Sequence, residues 1–130
     1  MKMKKIILFC LTALLLLAGY AAPSEEEKTY RQVTAEEAAV IMEEESDFII
    51  LDVRTAEEFA EKHISGAVNI PNETIGTEEI AELPDKNQLI LVYCRSGNRS
   101  KQASAKLAEL GYTNVVEFGG INDWNGAVEP

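Results

Sequence analysis

The sequence predicts an α/β domain built on a central, mainly parallel five-stranded sheet flanked by helices on both faces. Three observations predict it. Continuous apolar runs at Phe48–Leu51 and Leu89–Tyr93 are the pattern of strands covered on both faces, and Val115-Val116-Glu117-Phe118 reads as a further strand. Segments with helical spacing alternate with these runs, and two of them open with a Thr three residues before a Glu. The length, 130 residues of which 46% are apolar, fits one domain with a modest core and leaves no room for a second.

Along the chain, residues 1–22 read as an export signal: a basic start (Lys2, Lys4, Lys5), an unbroken apolar stretch from Ile6 to Gly19, and a small-residue end at Ala21-Ala22-Pro23. The apolar run is short against the roughly 20 residues of a membrane span. Cleavage is therefore expected, with a tether to the membrane as the alternative if the leader stays. Leu17-Ala18-Gly19 resembles the start of a lipoprotein signal, but Tyr20 stands where such signals carry the lipidated cysteine. The expected location is periplasmic or extracellular. Residues 23–29 form an acidic linker with no apolar side chain able to pack before Tyr30, and the folded domain is expected over 30–126.

Tyr30 to Val33 reads as a short extended piece. Thr34 with Glu37 should then cap a helix that turns Ala38, Ile41 and Met42 inward. The strand Phe48–Leu51 ends in Asp52-Val53-Arg54, after which Thr55 with Glu58 caps a short helix through about Glu61. His63 to Pro71 reads as a turn leading into a short strand that Pro71 stops. Thr77 is expected to cap a helix over Glu78–Leu83, ended by Pro84-Asp85. Leu89–Tyr93 is the clearest strand, and it leads straight to Cys94. Ala103, Leu107 and Leu110 recur at helical spacing over Ser100–Leu110, with Gly111 just past the helix end. Val115–Phe118 is the last strand, followed by Gly119-Gly120 and a turn of helix over Ile121–Trp124.

The formal charge is −10, and loss of the three leader lysines takes it to −10 − 3 = −13. Such a field repels nucleic acid and anionic membranes, so neither is an expected partner. Of the two cysteines, Cys10 lies in the leader, which leaves Cys94 alone in the mature chain with no internal disulfide available.

Cys94-Arg95-Ser96-Gly97-Asn98-Arg99-Ser100 joins the clearest strand to a helix, at a sheet edge where ligands bind in folds of this class. A free thiol is only a few per cent ionised at neutral pH. Here the first amides of the helix, its positive dipole end, and the guanidinium groups of Arg95 and Arg99 would each favour the thiolate. Gly97 permits a positive φ, so that successive amides can converge on one anion. The Cys-x4-Arg spacing is one residue shorter than the Cys-x5-Arg loop of cysteine phosphatases and arsenate reductases, and a shorter ring of amides suits a terminal sulfur better than a tetrahedral oxyanion. A general thiol redox protein is disfavoured by the missing second cysteine.

The chain resembles the rhodanese family of sulfurtransferases. The resemblance is carried by Asp52-Val53-Arg54 with Glu58-Phe59, by His63 to Pro71, by Cys94 to Ser100, and by Gly111-Tyr112, Asn114-Val115 and Gly119-Gly120-Ile121 with Trp124. Lys62 departs from the glycine that many members have before the histidine. The resemblance implies a single-domain, rhodanese-like fold and a double displacement. In it, Cys94 takes the sulfane sulfur of a donor such as thiosulfate as a persulfide, and a thiol or cyanide then accepts it. Arg95, Ser96, Gly97, Asn98, Arg99 and Ser100 would hold the persulfide or attract the donor. No metal or organic cofactor is implied. A monomer is expected, with a protein sulfur acceptor as a possible partner. The first competing function is a sulfur-relay or protein-binding module with little turnover on thiosulfate, and the second, which the short loop argues against, is a cysteine phosphatase or arsenate reductase.

Three further residues invite a supporting role. Asp52 and Arg54 end a strand on the same sheet edge as Cys94, where an ion pair that fixes the loops competes with substrate contact. His63, the one histidine, invites a general-base role, but a low-pKa thiol needs no base, so structural hydrogen bonding is the favoured reading.

Overall fold

The computed structural model describes residues 29–130. The expected leader, 1–22, and residues 23–28 of the linker lie outside the described residues. Among the described residues, no helix is long and apolar enough to cross a membrane.

The elements are β1 (Arg31–Gln32), α1 (Ala35–Glu44), β2 (Phe48–Asp52), α2 (Ala56–Glu61), β3 (His63–Ile64), β4 (Val68–Asn69), β5 (Leu89–Cys94), α3 (Asn98–Glu109), β6 (Val115–Gly120) and β7 (Val128–Glu129). Short 3-10 turns cover Asn72–Thr74 and Ile121–Asp123. Five strands form one sheet in the order β1-β6-β5-β2-β4, and every pairing in it is parallel. The central strand β5 is covered on both faces, and that is why Leu89 to Tyr93 reads as an unbroken apolar run. Alternation along it sorts the core. Ile90, Val92 and Cys94 face α3 together with Leu51, Val53, Ala103, Leu107 and Val115, while Leu91 and Tyr93 face α1 with Ile50, Val116, Phe118 and Ala38. Ile41 and Met42 pack against this second cluster, as the periodicity of α1 predicts.

Both expected capping boxes form. Thr34 Oγ1 accepts the Glu37 amide at 3.0 Å while Glu37 Oε1 accepts the Thr34 amide at 2.9 Å, and Thr55 with Glu58 repeats the arrangement. α3 starts two residues earlier than the apolar spacing suggests, because Gly97 at φ 116° turns the chain directly into the helix. Gly111, at φ 101°, lies just past its end as expected.

The helix expected over Glu78–Leu83 does not form. The segment is an irregular turn, with Leu83 N donating to Ile80 O at 3.0 Å. A helix of six residues has little intrinsic stability. Here the extended path instead buries Ile75, Ile80 and Leu83 against the α3 side of the sheet and lets Tyr112 OH donate to Leu83 O. A second pairing was also beyond the pattern: β7 returns to run antiparallel to β3, in the register His63 with Glu129 and Ile64 with Val128. Strands of two residues carry no periodic signal.

Candidate active site

The loop from Cys94 to Ser100 leaves the carboxyl end of β5 and enters α3. Cys94 points toward α3 and is only 1% exposed. Its Sγ accepts the Gly97 N–H at 3.0 Å and lies 3.5 Å from Ser100 Oγ. Burial pushes the Cys94 thiol up, but hydrogen bonds from the Ser100 hydroxyl and from the amides of Ser100, Gly97 and Ser96 outweigh it, so the thiol sits below its ordinary value. The converging amides are supplied by the left-handed conformation of Gly97 and by the free N–H groups at the start of α3.

The two arginines of the loop end on one carboxylate. Arg99 donates from Nη1 to Glu58 Oε1 at 2.8 Å and from Nη2 to Oε2 at 3.2 Å, while Arg95 reaches Oε2 from Nε and Nη2 at 3.3 Å. Glu58 also accepts from the Thr55 amide and hydroxyl, so the residue that closes the capping box of α2 clamps the loop as well. The Arg99 bonds, opposed by burial and reinforced by Thr55, hold the Glu58 carboxyl well below the usual range. Arg99 is thus paired with a carboxylate across the loop, and Arg95 is the exposed partner of the same group. Ser96 and Asn98 are exposed, Gly97 and Ser100 buried.

Asp52, Arg54 and His63 are not brought to the thiol. Asp52 lies on the Tyr93 face of the sheet. Its Oδ2 accepts Tyr93 OH at 2.6 Å and Arg54 Nη2 at 2.7 Å, and Arg54 Nη2 also donates to Lys62 O at 2.7 Å. Tyr93 OH in turn accepts the Ile64 amide, so the buried ion pair fixes the β2–α2–β3 connections. His63 stacks on Phe59 at 3.7 Å between centroids. Its Nδ1 lies 2.8 Å from Phe59 O and its Nε2 3.5 Å from Glu129.

Glu117 was missed by the sequence reading. It is 2% exposed on β6, on the Cys94 face, and its Oε2 accepts Ser100 Oγ–H at 2.5 Å and the Gly119 amide at 2.9 Å. A charged residue inside the apolar run Val115-Val116-Glu117-Phe118 was the available signal. β6 carries one extra residue here, for Val92 pairs with Glu117 and Cys94 with Gly120. This brings Gly120 against the loop, where a Cβ would stand 1.9 Å from Arg95 O and 2.6 Å from Ser96 N. Both are backbone atoms, and no rotamer change relieves them. Gly120→Ala is expected to cost about 3 kcal/mol or more and to misalign the amides facing Cys94. A lowered melting temperature with slower alkylation of Cys94 is the outcome to look for; unchanged alkylation would show that the close approach does not set the loop.

The sequence model of the rhodanese-like domain matches residues 34–127. The chain is 41% identical over 73 residues to thiosulfate sulfurtransferase PspE of Escherichia coli (strain K12), a match covering 56% of this chain and 70% of that one. It is 37% identical over 81 residues to the putative sulfur carrier protein YrkF of Bacillus subtilis (strain 168), covering 62% of this chain and 43% of that one. Among solved structures, a rhodanese with anions from E. coli superposes with a TM-score of 0.57 at 40% identity, covering 62% of this chain and 95% of that chain.

Proposed function

Since the chain belongs to the rhodanese-like domain family, we propose that Cys94 carries sulfane sulfur from a donor to an acceptor as a persulfide. The observation that carries this reading is the buried thiol at the focus of the Ser100 hydroxyl and the Ser100, Gly97 and Ser96 amides, which together outweigh its burial and lower its pKa. Such a site holds a small anion on sulfur.

With thiosulfate as donor, the Cys94 thiolate attacks the outer sulfur. A new S–S bond forms, the donor's own S–S bond breaks, and its electron pair leaves with sulfite. The terminal sulfur of the persulfide then carries the negative charge, and the loop amides are the groups placed to receive it. In the second half, a thiol or cyanide attacks that terminal sulfur and the Cys94 thiolate is regenerated. The cradle spans four residues between Cys94 and Arg99, which supports sulfur over phosphate.

A specific observation favours a second reading. Glu58 engages both loop arginines, which weakens their pull on a dianion such as thiosulfate. A relay that takes sulfur from, or hands it to, a protein thiol is less dependent on that pull. Steady-state formation of thiocyanate from thiosulfate and cyanide separates the two. Sustained turnover that needs Cys94 is expected of the enzyme, whereas a single loading of sulfur followed by stalling would replace that reading with the relay.

Export of the mature domain is part of the proposal and is supported by the basic, apolar and small-residue order of residues 1–22. N-terminal sequencing of the protein recovered outside the cytoplasm should start beyond Ala21; an intact Met1 there would contradict cleavage.

A further inference from the structure

The geometry points to Glu117 as the group that receives the Cys94 proton, acting through Ser100. This rests on the reading of Cys94 as a working thiolate and adds where its proton goes.

Four observations carry it. Glu117 is 2% exposed, and no Lys, Arg or His pairs with it among the described residues. Its carboxylate is held by neutral donors, the Ser100 hydroxyl at 2.5 Å, the Gly119 amide at 2.9 Å and Gln32 Nε2 at 3.4 Å. Ser100 Oγ, itself fully buried, lies between Glu117 and the Cys94 sulfur, the latter 3.5 Å away. Ser100 has one hydrogen, yet Glu117 Oε2, Gly97 O and Gly119 O all stand within hydrogen-bond reach, and the sulfur joins them once ionised.

In the thiol state Cys94 S–H donates to Ser100 Oγ, and Ser100 O–H donates to the Glu117 carboxylate. Both protons then move one place along the chain. The thiol proton passes to Ser100 Oγ, and the original Ser100 proton passes to Glu117. Sulfur keeps the electron pair of the S–H bond and becomes thiolate, while Glu117 becomes the neutral acid. Both hydrogen bonds survive with their direction reversed, and the buried pair carries one negative charge before and after. Release of the thiol proton to water would instead leave two buried anions competing for one hydroxyl, and an uncompensated buried charge is costly. Glu117 does not touch the sulfur, so its part is to position Ser100 and to hold the proton.

The other charged groups facing the pair are shared by every variant considered. Arg99 of α3 is paired with Glu58 of α2, and Cys94 and Glu73 act on it electrostatically. Arg95 of the loop is on Glu58, and β1 contributes the neutral Gln32.

The test is the pH dependence of Cys94 alkylation by iodoacetamide, a neutral probe, read by intact mass. Two sites sharing one proton titrate as a coupled pair. The native protein should therefore show two steps in rate separated by a plateau, and Glu117→Gln should show a single step at a pH below the native upper step. A single-step native profile, or a two-step profile that survives Glu117→Gln, would overturn the relay. If the Gln variant does not fold, the 13C signal of the Glu117 carboxyl gives the same answer in Cys94→Ser. A carboxyl signal at neutral pH that changes on replacing sulfur supports the relay, and a signal indifferent to the replacement overturns it. Neither measurement involves a sulfur donor. A Cys94 that takes sulfur from thiosulfate yet alkylates in one step would lose only the relay, while one that takes no sulfur would sink the parent reading whatever its pH profile.

Discussion

Cys94→Ser is expected to fold as the native chain does and to lose sulfur transfer by a factor on the order of 10⁴ or more. The side chain is 1% exposed and bonded to the Gly97 amide, and a hydroxyl accepts that hydrogen bond in nearly the same volume. Stability should therefore change by less than about 1 kcal/mol. What is lost is the polarisable, ionisable nucleophile, for no other cysteine exists in the described domain. Transfer to cyanide and the melting temperature, measured on the same preparation, separate chemistry from folding. Residual transfer within tenfold of native would place the nucleophile elsewhere.

Glu58→Ala should show the second-largest effect, on stability and on chemistry together. It removes the carboxylate shared by Arg95 and Arg99 and the residue that completes the α2 cap. The Arg95 contact counts for little, since its side chain is 56% exposed and solvent-screened. The Arg99 bonds and the cap together contribute about 2 kcal/mol. Release of both arginines lets the Cys94 loop shift, and misplacement on the order of 1 Å can lower transfer by about 10- to 100-fold.

The acid side carries a separate signature. Because the Arg99 bonds depress the folded carboxyl below its usual value of 4.5, the stability that Glu58 supplies is fully present above that pH and is lost as pH falls toward the folded value. Native protein and Glu58→Gln should therefore differ most near neutral pH and converge in acid. A gap in unfolding free energy that stays constant down to about pH 2 would contradict the assignment.

The parts of the molecule legible beforehand are those governed by neighbours in sequence. The capping boxes at Thr34 and Thr55, the buried strands, the left-handed Gly97 and the end of α3 at Gly111 all follow from spacing or from the backbone freedom of one residue. The missing helix over Glu78–Leu83 shows the limit of that logic. Thr77 and the stop at Pro84 were locally consistent, yet burial of Ile75, Ile80 and Leu83 against distant residues decided the path.

The site divides in the same way. Cys94, Ser100 and the amides between them are contiguous and could be read directly. Glu58 was readable as a cap, but its hold on Arg99 spans 41 residues and depends on how α2 and α3 pack. Glu117 comes to the thiol through parallel pairing of β5 with β6, a register that no local pattern specifies. Asp52 and Arg54 share the sheet edge with Cys94 but point to its opposite face, a distinction that one residue of register controls.

The central claim is that Cys94 holds sulfur. Its most direct test is the intact mass of the protein after incubation with thiosulfate. A gain of one sulfur atom that cyanide then removes, absent from Cys94→Ser, is the predicted result. No gain in mass, with hydrolysis of an aryl phosphate in its place, would contradict it.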